Sequence, residues 1–302
     1  TGFNAGVIAP YNATAAAPKA TGFDIANNYS FYQAGLNLNP EVNSGGGGQG
    51  FPANGIVQSP VDGTTFQLGP FGGTNALMLG YTYPRYGTLT LATPQSFNTL
   101  AILAASANGG GPGLLTLNFT NGTKSQVIRF NAQDWYNTVT NVALQGFGRL
   151  KLGQGTLNTE HPGWNNPNLY QTTINLAALG LNQPVASLTF TNPGGGGNLD
   201  TGIFALSGTV MPPQVNITQQ PKSVTNNVPG QGATFFATAM GAPPLSWQWY
   251  FSTNGNPATF FPLAGSTATN LALSAVLQSS NAGSYRVVVT NSFGAATSSV
   301  AC

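Results

Sequence analysis

A chain of 302 residues that carries eight Lys and Arg, six Asp and Glu and one His has no basic cluster of the kind nucleic-acid binding needs. It has no apolar run of the ~18 residues a membrane span requires. Charged residues make up 5% of the sequence against about 25% in soluble domains, so solubility rests on Asn, Gln, Thr, Ser and exposed backbone, and copies repel one another weakly. A hydrophobic fraction of 41% excludes a disordered chain, and the length predicts two domains.

The chain opens on Thr1, which reads as a secreted product after leader removal or as a trimmed chain. Residues 1–17 are uncharged and rich in Ala. A free segment of that composition is a disordered tail. Main-chain pairing would also let it add as a strand to the open edge of a neighbouring copy, with Thr1, Phe3, Val7 and Ile8 as its contacts. Strand-like patterning starts around Asp24 to Phe31. Further on, Thr88–Leu91, Leu115–Phe119 and Val127–Phe130 alternate with period two, and Asn121-Gly122 predicts a hairpin turn between the last two.

The glycine runs 45–48, 109–111 and 194–197 fall between strands. None opens a helix after a strand, so they are loops and not phosphate cradles. Ile174 to Leu181 predicts one short helical turn. The pair Pro212-Pro213 after Met211 predicts a stiff linker, dividing the chain into residues 1–211 and 212–302. The one cysteine, Cys302, rules out an intrachain disulfide. It is either a site of pairing between chains or an ordinary strand residue.

The second part resembles cysteine-free, I-set-like immunoglobulin domains. Ile217 to Pro221 is similar to their first strand, Ala233 to Gly241 to strand B, and Ser246-Trp247-Gln248-Trp249-Tyr250 to strand C, with Trp249 as the core tryptophan. Asn281 to Val287 is similar to the run into strand F, where the corner tyrosine would be Tyr285. The resemblance implies that Ala237 and Val287 replace the cysteine pair. Strand G, from Ala295 to Cys302, is a few residues shorter than the family's: either the sequence is cut there or something else completes that edge. The first part resembles the galactose-binding-like jelly rolls of secreted bacterial proteins. The likeness rests on Phe97 to Ala104, Leu115 to Thr123, Asp134-Trp135, Val185 to Asn192 and Thr201 to Gly208. It implies a jelly-roll-like β-sandwich and contact with glycans. The fold class expected is therefore all-β, two sandwiches in series.

Catalytic groups are scarce. The acids are Asp24, Glu41, Asp62, Asp134, Glu160 and Asp200, too scattered for the flanking pair of a glycosidase. A triad would have to use the sole histidine, His161, which has no nucleophile-elbow sequence beside it. Zinc lacks ligands, and no EF-hand spacing exists for calcium. The expectation is no enzyme, no metal and no cofactor. Aromatics carry more meaning, because sugar rings stack on aromatic planes while their hydroxyls need amides or charges. Trp164 with Glu160 and His161 forms one candidate glycan site, and Tyr83, Arg85 and Tyr86 form another. The competing reading of these rings is packing or protein contact. Two functions follow. One is an extracellular structural subunit that assembles with copies of itself at a bacterial cell surface, with Thr1, Phe3, Val7, Ile8 and Cys302 as assembly contacts. The other is a carbohydrate-binding or adhesion module of a larger secreted protein.

Overall fold

The computed structural model describes residues 1–36, 50–137, 140–153, 158–160, 166–192, 194, 197–224, 230–254, 256, 259–274 and 282–302. Its regular elements are all strands, and the chain divides into two compact units, Thr1–Met211 and Pro212–Cys302.

The first unit is built around a five-stranded antiparallel sheet. Its strands run in the order Val142–Gln145, Asn168–Asn175, Phe97–Ala107, Asp200–Val210 and Leu77–Gly80. The central strand is buried without interruption from Leu100 to Ala107, as a strand covered on both faces must be. Leu100, Ile102 and Ala104 point into a core shared with Leu115, Leu117, Phe119, Phe130, Leu188 and Phe190. Those residues come from a four-stranded sheet ordered Tyr86–Gln95, Val185–Thr191, Gly111–Phe119 and Ile128–Ala132. This second sheet is covered on one face only, so Gly113–Phe119 alternates buried and half-buried.

On the other side of the central strand, Ala101, Leu103, Ala105 and Ala107 meet a third layer. Its filling is aromatic: Phe31 touches Phe23, Phe51, Trp135, Phe147 and Phe204 with ring centroids 4.8–5.5 Å apart. Short Ala side chains on the sheet leave room for these rings, which prefer the tilted and edge-to-face geometries seen here.

This third layer corrects the expectation of a free N-terminal segment. Val7 and Ile8 have no solvent exposure, because they fill the aromatic core. Ile8–Ala9 pairs in parallel with Phe31–Tyr32, and the Val7 amide donates to Asn75 Oδ1 at 2.8 Å. Phe3 packs on the inter-sheet core. The Thr1 ammonium donates to the Thr90 carbonyl at 2.9 Å. Gly2 lies so close to the neighbouring strand that a Cβ would stand 2.2 Å from Thr88 O. The chain therefore uses Phe3, Val7 and Ile8 to close its own fold, with Val7 and Ile8 sealed from any neighbour, while Thr1 is tied to Thr90 but stays exposed. A second difference is local. Ile174 belongs to the strand Asn168–Asn175, and only Leu176–Gly180 forms a hydrogen-bonded turn, because Thr172 and Thr173 continue the pairing with Phe97–Ala107.

The second unit packs two short antiparallel pairs, Asn216–Gln219 with Thr238–Met240 and Ala233–Phe236 with Asn270–Leu273, together with a four-stranded sheet. That sheet is ordered Phe261–Pro262, Ser246–Ser252, Ser284–Asn291 and Gly294–Thr297. Trp249 is fully buried, and so are Ala237 and Val287. The indole Nε1 donates to Ala268 O at 2.9 Å, while Phe235 stacks on Tyr285 at 4.7 Å. Apolar packing fills the space a disulfide would bridge. The edge expected to lie open is closed by the chain itself. Ala301 pairs with Tyr285, the Cys302 amide donates to Ser223 Oγ at 3.0 Å, and the Cys302 carbonyl accepts from Val224 N at 2.7 Å.

Candidate functional site

The residues expected to hold a glycan do not converge among the described residues. Tyr83 packs against the aromatic core of the first unit, its hydroxyl 3.5 Å from Thr21 Oγ1. Tyr86, 69% exposed, starts the edge strand of the four-stranded sheet. Arg85 instead lines a small cleft of about 110 Å³ with Gly80, Tyr81, Asn192, Gly194 and Leu199, its guanidinium lying against Gly194. Tyr83, Arg85 and Tyr86 thus serve three different places, because the chain bends over residues 81–85 before the strand Tyr86–Gln95 begins. Glu160 lies in the strand Asn158–Glu160, in register with Arg149. His161 and Trp164 lie outside the described residues. Trp135 and Tyr170, other loop aromatics of the sequence, are core residues.

A second cleft of the first unit, larger than the one at Arg85, was not legible as a motif. It is a cleft of about 530 Å³ formed where the N-terminal segment (Pro10, Tyr11, Asn12, Lys19) crosses the hairpin Ile56–Gln58/Thr65–Gln67. Leu68 and Phe71, both buried, make its floor. Tyr11, 58% exposed, stands at its rim. Four side-chain amides line it, Asn12, Gln33, Asn54 and Gln67, and hydrogen bonds to the backbone fix the orientation of the last three. Gln33 Oε1 accepts from Tyr11 N at 2.9 Å, and its Nε2 donates to Ala53 O at 3.0 Å. Asn54 Oδ1 accepts from Ile56 N at 3.0 Å. Gln67 Nε2 donates to Leu68 O at 3.2 Å and to Gly55 O at 3.3 Å. Gly55 permits this approach: at its φ of 69° a side chain is strained, and a Cβ would stand 2.9 Å from Gln67 Nε2. Lys19 Nζ donates to Asn12 Oδ1 at 3.2 Å.

Asn12, Asn54 and Gln67 each have one end tied to the protein, and Gln33 has both. Among the described residues, Asn12 Nδ2, Asn54 Nδ2, Gln67 Oε1 and the Tyr11 hydroxyl make no hydrogen bond, so the cleft offers donors, an acceptor and an aromatic plane together. Its one charge is Lys19. This is chemistry for orienting a polar, uncharged ligand, and it holds no acid–base pair. A hydrogen-bonded carboxylate of the first unit, Asp62, sits elsewhere. Hydrogen bonds from Thr64 and Gln171 hold its pKa down at about 2. Burial raises the Tyr32 and Tyr170 hydroxyls to about 12. Both are structural groups.

Comparison with known proteins assigns the second unit. Residues 215–301 match the immunoglobulin I-set domain. The second unit is an I-set immunoglobulin domain. Among solved structures, a chimeric titin Z1Z2 carrying a decorin peptide is 29% identical over 30% of this chain and 92% of its own, with a TM-score of 0.23. The Ig1-2 module of the Drosophila receptor tyrosine phosphatase DLAR is 14% identical over 71% of this chain and 96% of its own, with a TM-score of 0.23. The glycoside hydrolase domain of Endo-D from Streptococcus pneumoniae R6 is 14% identical, covers 79% of this chain and 35% of its own, and has a TM-score of 0.26. No curated protein matches the chain. The tryptophan of the I-set domain, Trp249, occupies the place the resemblance implied, at the centre of its core.

Proposed function

We propose that this chain is a non-enzymatic, secreted adhesion module in which a jelly-roll-like first unit holds a neutral glycan and the I-set domain serves as a structural spacer. The observation that carries this reading is the cleft at Tyr11. It combines an exposed ring with four side-chain amides, three of them fixed by backbone hydrogen bonds. A sugar presents C–H faces to such a ring and hydroxyls to such amides. Orienting the amides beforehand lowers the entropy lost on binding. The test is a glycan array followed by calorimetry with the neutral oligosaccharides that score. Tyr11→Ala should weaken binding about tenfold, equivalent to about 1.4 kcal/mol, without lowering the melting temperature, because the side chain lies at the surface. Binding that is unchanged in Tyr11→Ala and lost in Trp164→Ala would move the site to the segment of sequence around residue 164.

A second reading, a structural subunit that assembles with copies of itself, draws on a different observation. The I-set domain exposes Met240 (69%) and Phe261 (68%), and the scarcity of charge gives neighbouring copies little reason to stay apart. Electron microscopy of the purified protein separates the readings: ordered polymers support assembly, and dispersed particles that retain glycan binding support adhesion.

A further inference from the structure

The hairpin Ile56–Gln58/Thr65–Gln67 pairs with no other strand among the described residues. Side chains at its turn fasten it to the five-stranded sheet instead. Gly63, at a φ of 79°, turns the chain, and Asp62 and Thr64 on either side of it both reach the strand Asn168–Asn175. There Asp62 Oδ2 accepts from Gln171 Nε2 at 2.7 Å and from the Thr173 hydroxyl at 3.1 Å. The Thr64 amide donates to Asp62 Oδ1 at 2.9 Å, and the Thr64 hydroxyl hydrogen-bonds to the same carboxylate. Gln171 is 1% exposed, and its Oε1, also buried, has no hydrogen bond among the described residues.

The amide nitrogen of Gln171 has two protons to give. They go to Asp62 Oδ2 and to Thr173 Oγ1, each at 2.7 Å. The Thr64 hydroxyl makes a third, longer contact with that nitrogen, at 3.4 Å. With both protons taken at shorter range, it is the hydroxyl least held there and the freer to move onto the amide carbon. The carboxylate touches both parties to such a reaction: the hydroxyl that must lose a proton and the nitrogen that must gain one.

We propose that Thr64 and Gln171 join through an ester that forms without enzyme or cofactor. Thr64 Oγ1 adds to Gln171 Cδ while Asp62 takes the hydroxyl proton. The Cδ–Nε2 bond then breaks, and Asp62 passes that proton to the leaving nitrogen, which departs as ammonia. One Oγ1–H and one Cδ–Nε2 bond are lost, one Cδ–Oγ1 and one N–H bond are gained, and nothing is oxidised. Amides are poor acyl donors in water. Groups held side by side in one chain, however, react as though present at up to ~10⁵–10⁸ M. Asp62 is a weak base, so the step is slow, but it need happen once per molecule. Two features favour the product. Ammonia is protonated near neutral pH and diffuses away. An ester oxygen is also a weaker acceptor than an amide oxygen, so leaving Oε1 buried and unpaired costs less afterwards. The bond joins residues 107 apart in sequence and pins the turn of an otherwise unpaired hairpin. This inference does not depend on the glycan reading.

The test is the intact mass of the purified full chain, unfolded in acid after days of storage near neutral pH. The mass should fall short of the sequence by one ammonia. Peptic digestion should release a fragment in which the segments around residues 64 and 171 are joined, and hydroxylamine should separate them. Thr64→Val and Gln171→Glu should each show the full mass of their sequences, whereas Thr64→Ser should keep the loss. The unlinked variants should melt about 5–15 °C lower in the first unit. Two outcomes overturn the proposal. One is a wild-type chain of full mass. The other is an ammonia loss that persists in Thr64→Val, which would place the loss in a cyclised Asn-Gly pair such as Asn121-Gly122. The digest reads the unfolded wild-type chain, so it decides the matter even where a variant does not fold.

Discussion

At the scale of single residues, burial rather than residue type decides role. Trp135 and Tyr170 belong to the same kind of Asn-rich sequence as Tyr11, yet the first two are sealed in the core and the last is at the surface. Nothing in residue identity distinguishes them. What differs is the register of each on its strand or turn. Trp249 was legible because Ser246-Trp247-Gln248-Trp249-Tyr250 resembles strand C of immunoglobulin domains, whose core tryptophan it would be; alternation alone places Trp247 on the same face. Removing it should be severe: Trp249→Ala should destabilise the I-set domain by about 3–5 kcal/mol, visible as an early unfolding transition in calorimetry. Asp62 gives a milder effect that depends on pH. Its carboxylate accepts hydrogen bonds from Thr64, Gln171 and Thr173, so its folded pKa, about 2, lies below the ordinary value of 3.8. The stabilisation is present above pH 4 and is lost as pH falls toward 2. Melting curves across that range should flatten in Asp62→Asn.

At the scale of elements, strands with one covered face were plain in the sequence, since period-two alternation has no other simple cause. Phe97–Ala107 was legible as a strand, but a continuous apolar run does not say what covers its second face. That cover comes from Ala5, Val7, Ile8, Phe23, Phe31 and Phe51, too irregularly spaced to show a period. The Ala residues of the central strand mark where the rings sit. Ala105→Leu should therefore overpack the third layer and cost about 1–3 kcal/mol, whereas Thr116→Ser on the outer face of the other sheet should change stability by less than about 0.5 kcal/mol. Both are read from denaturant midpoints. Deleting residues 1–9 removes Val7 and Ile8 from the core and should lower the melting temperature of the first unit sharply. An unchanged melt would contradict the packing described.

At the scale of the whole molecule, eight basic and six acidic groups leave little to screen or titrate. Association, if it occurs, should be insensitive to ionic strength. Light scattering of concentrated protein from low to high salt checks this, and a strong salt dependence would oppose it. Cys302 has an exposed side chain, so any covalent dimer formed on oxidation should vanish in Cys302→Ser while the melting temperature stays constant.

The central strand of the first unit finds its two neighbours far along the chain, in Asn168–Asn175 and Asp200–Val210. A ribosome must therefore deliver nearly the whole unit before the sheet can be completed. Until then the phenylalanine layer has no lid, and the earliest residues made must wait for some of the last. Such long-range closure is slow and leaves greasy intermediates exposed. Chaperone capture of the nascent chain should accordingly persist until residue 210 has emerged.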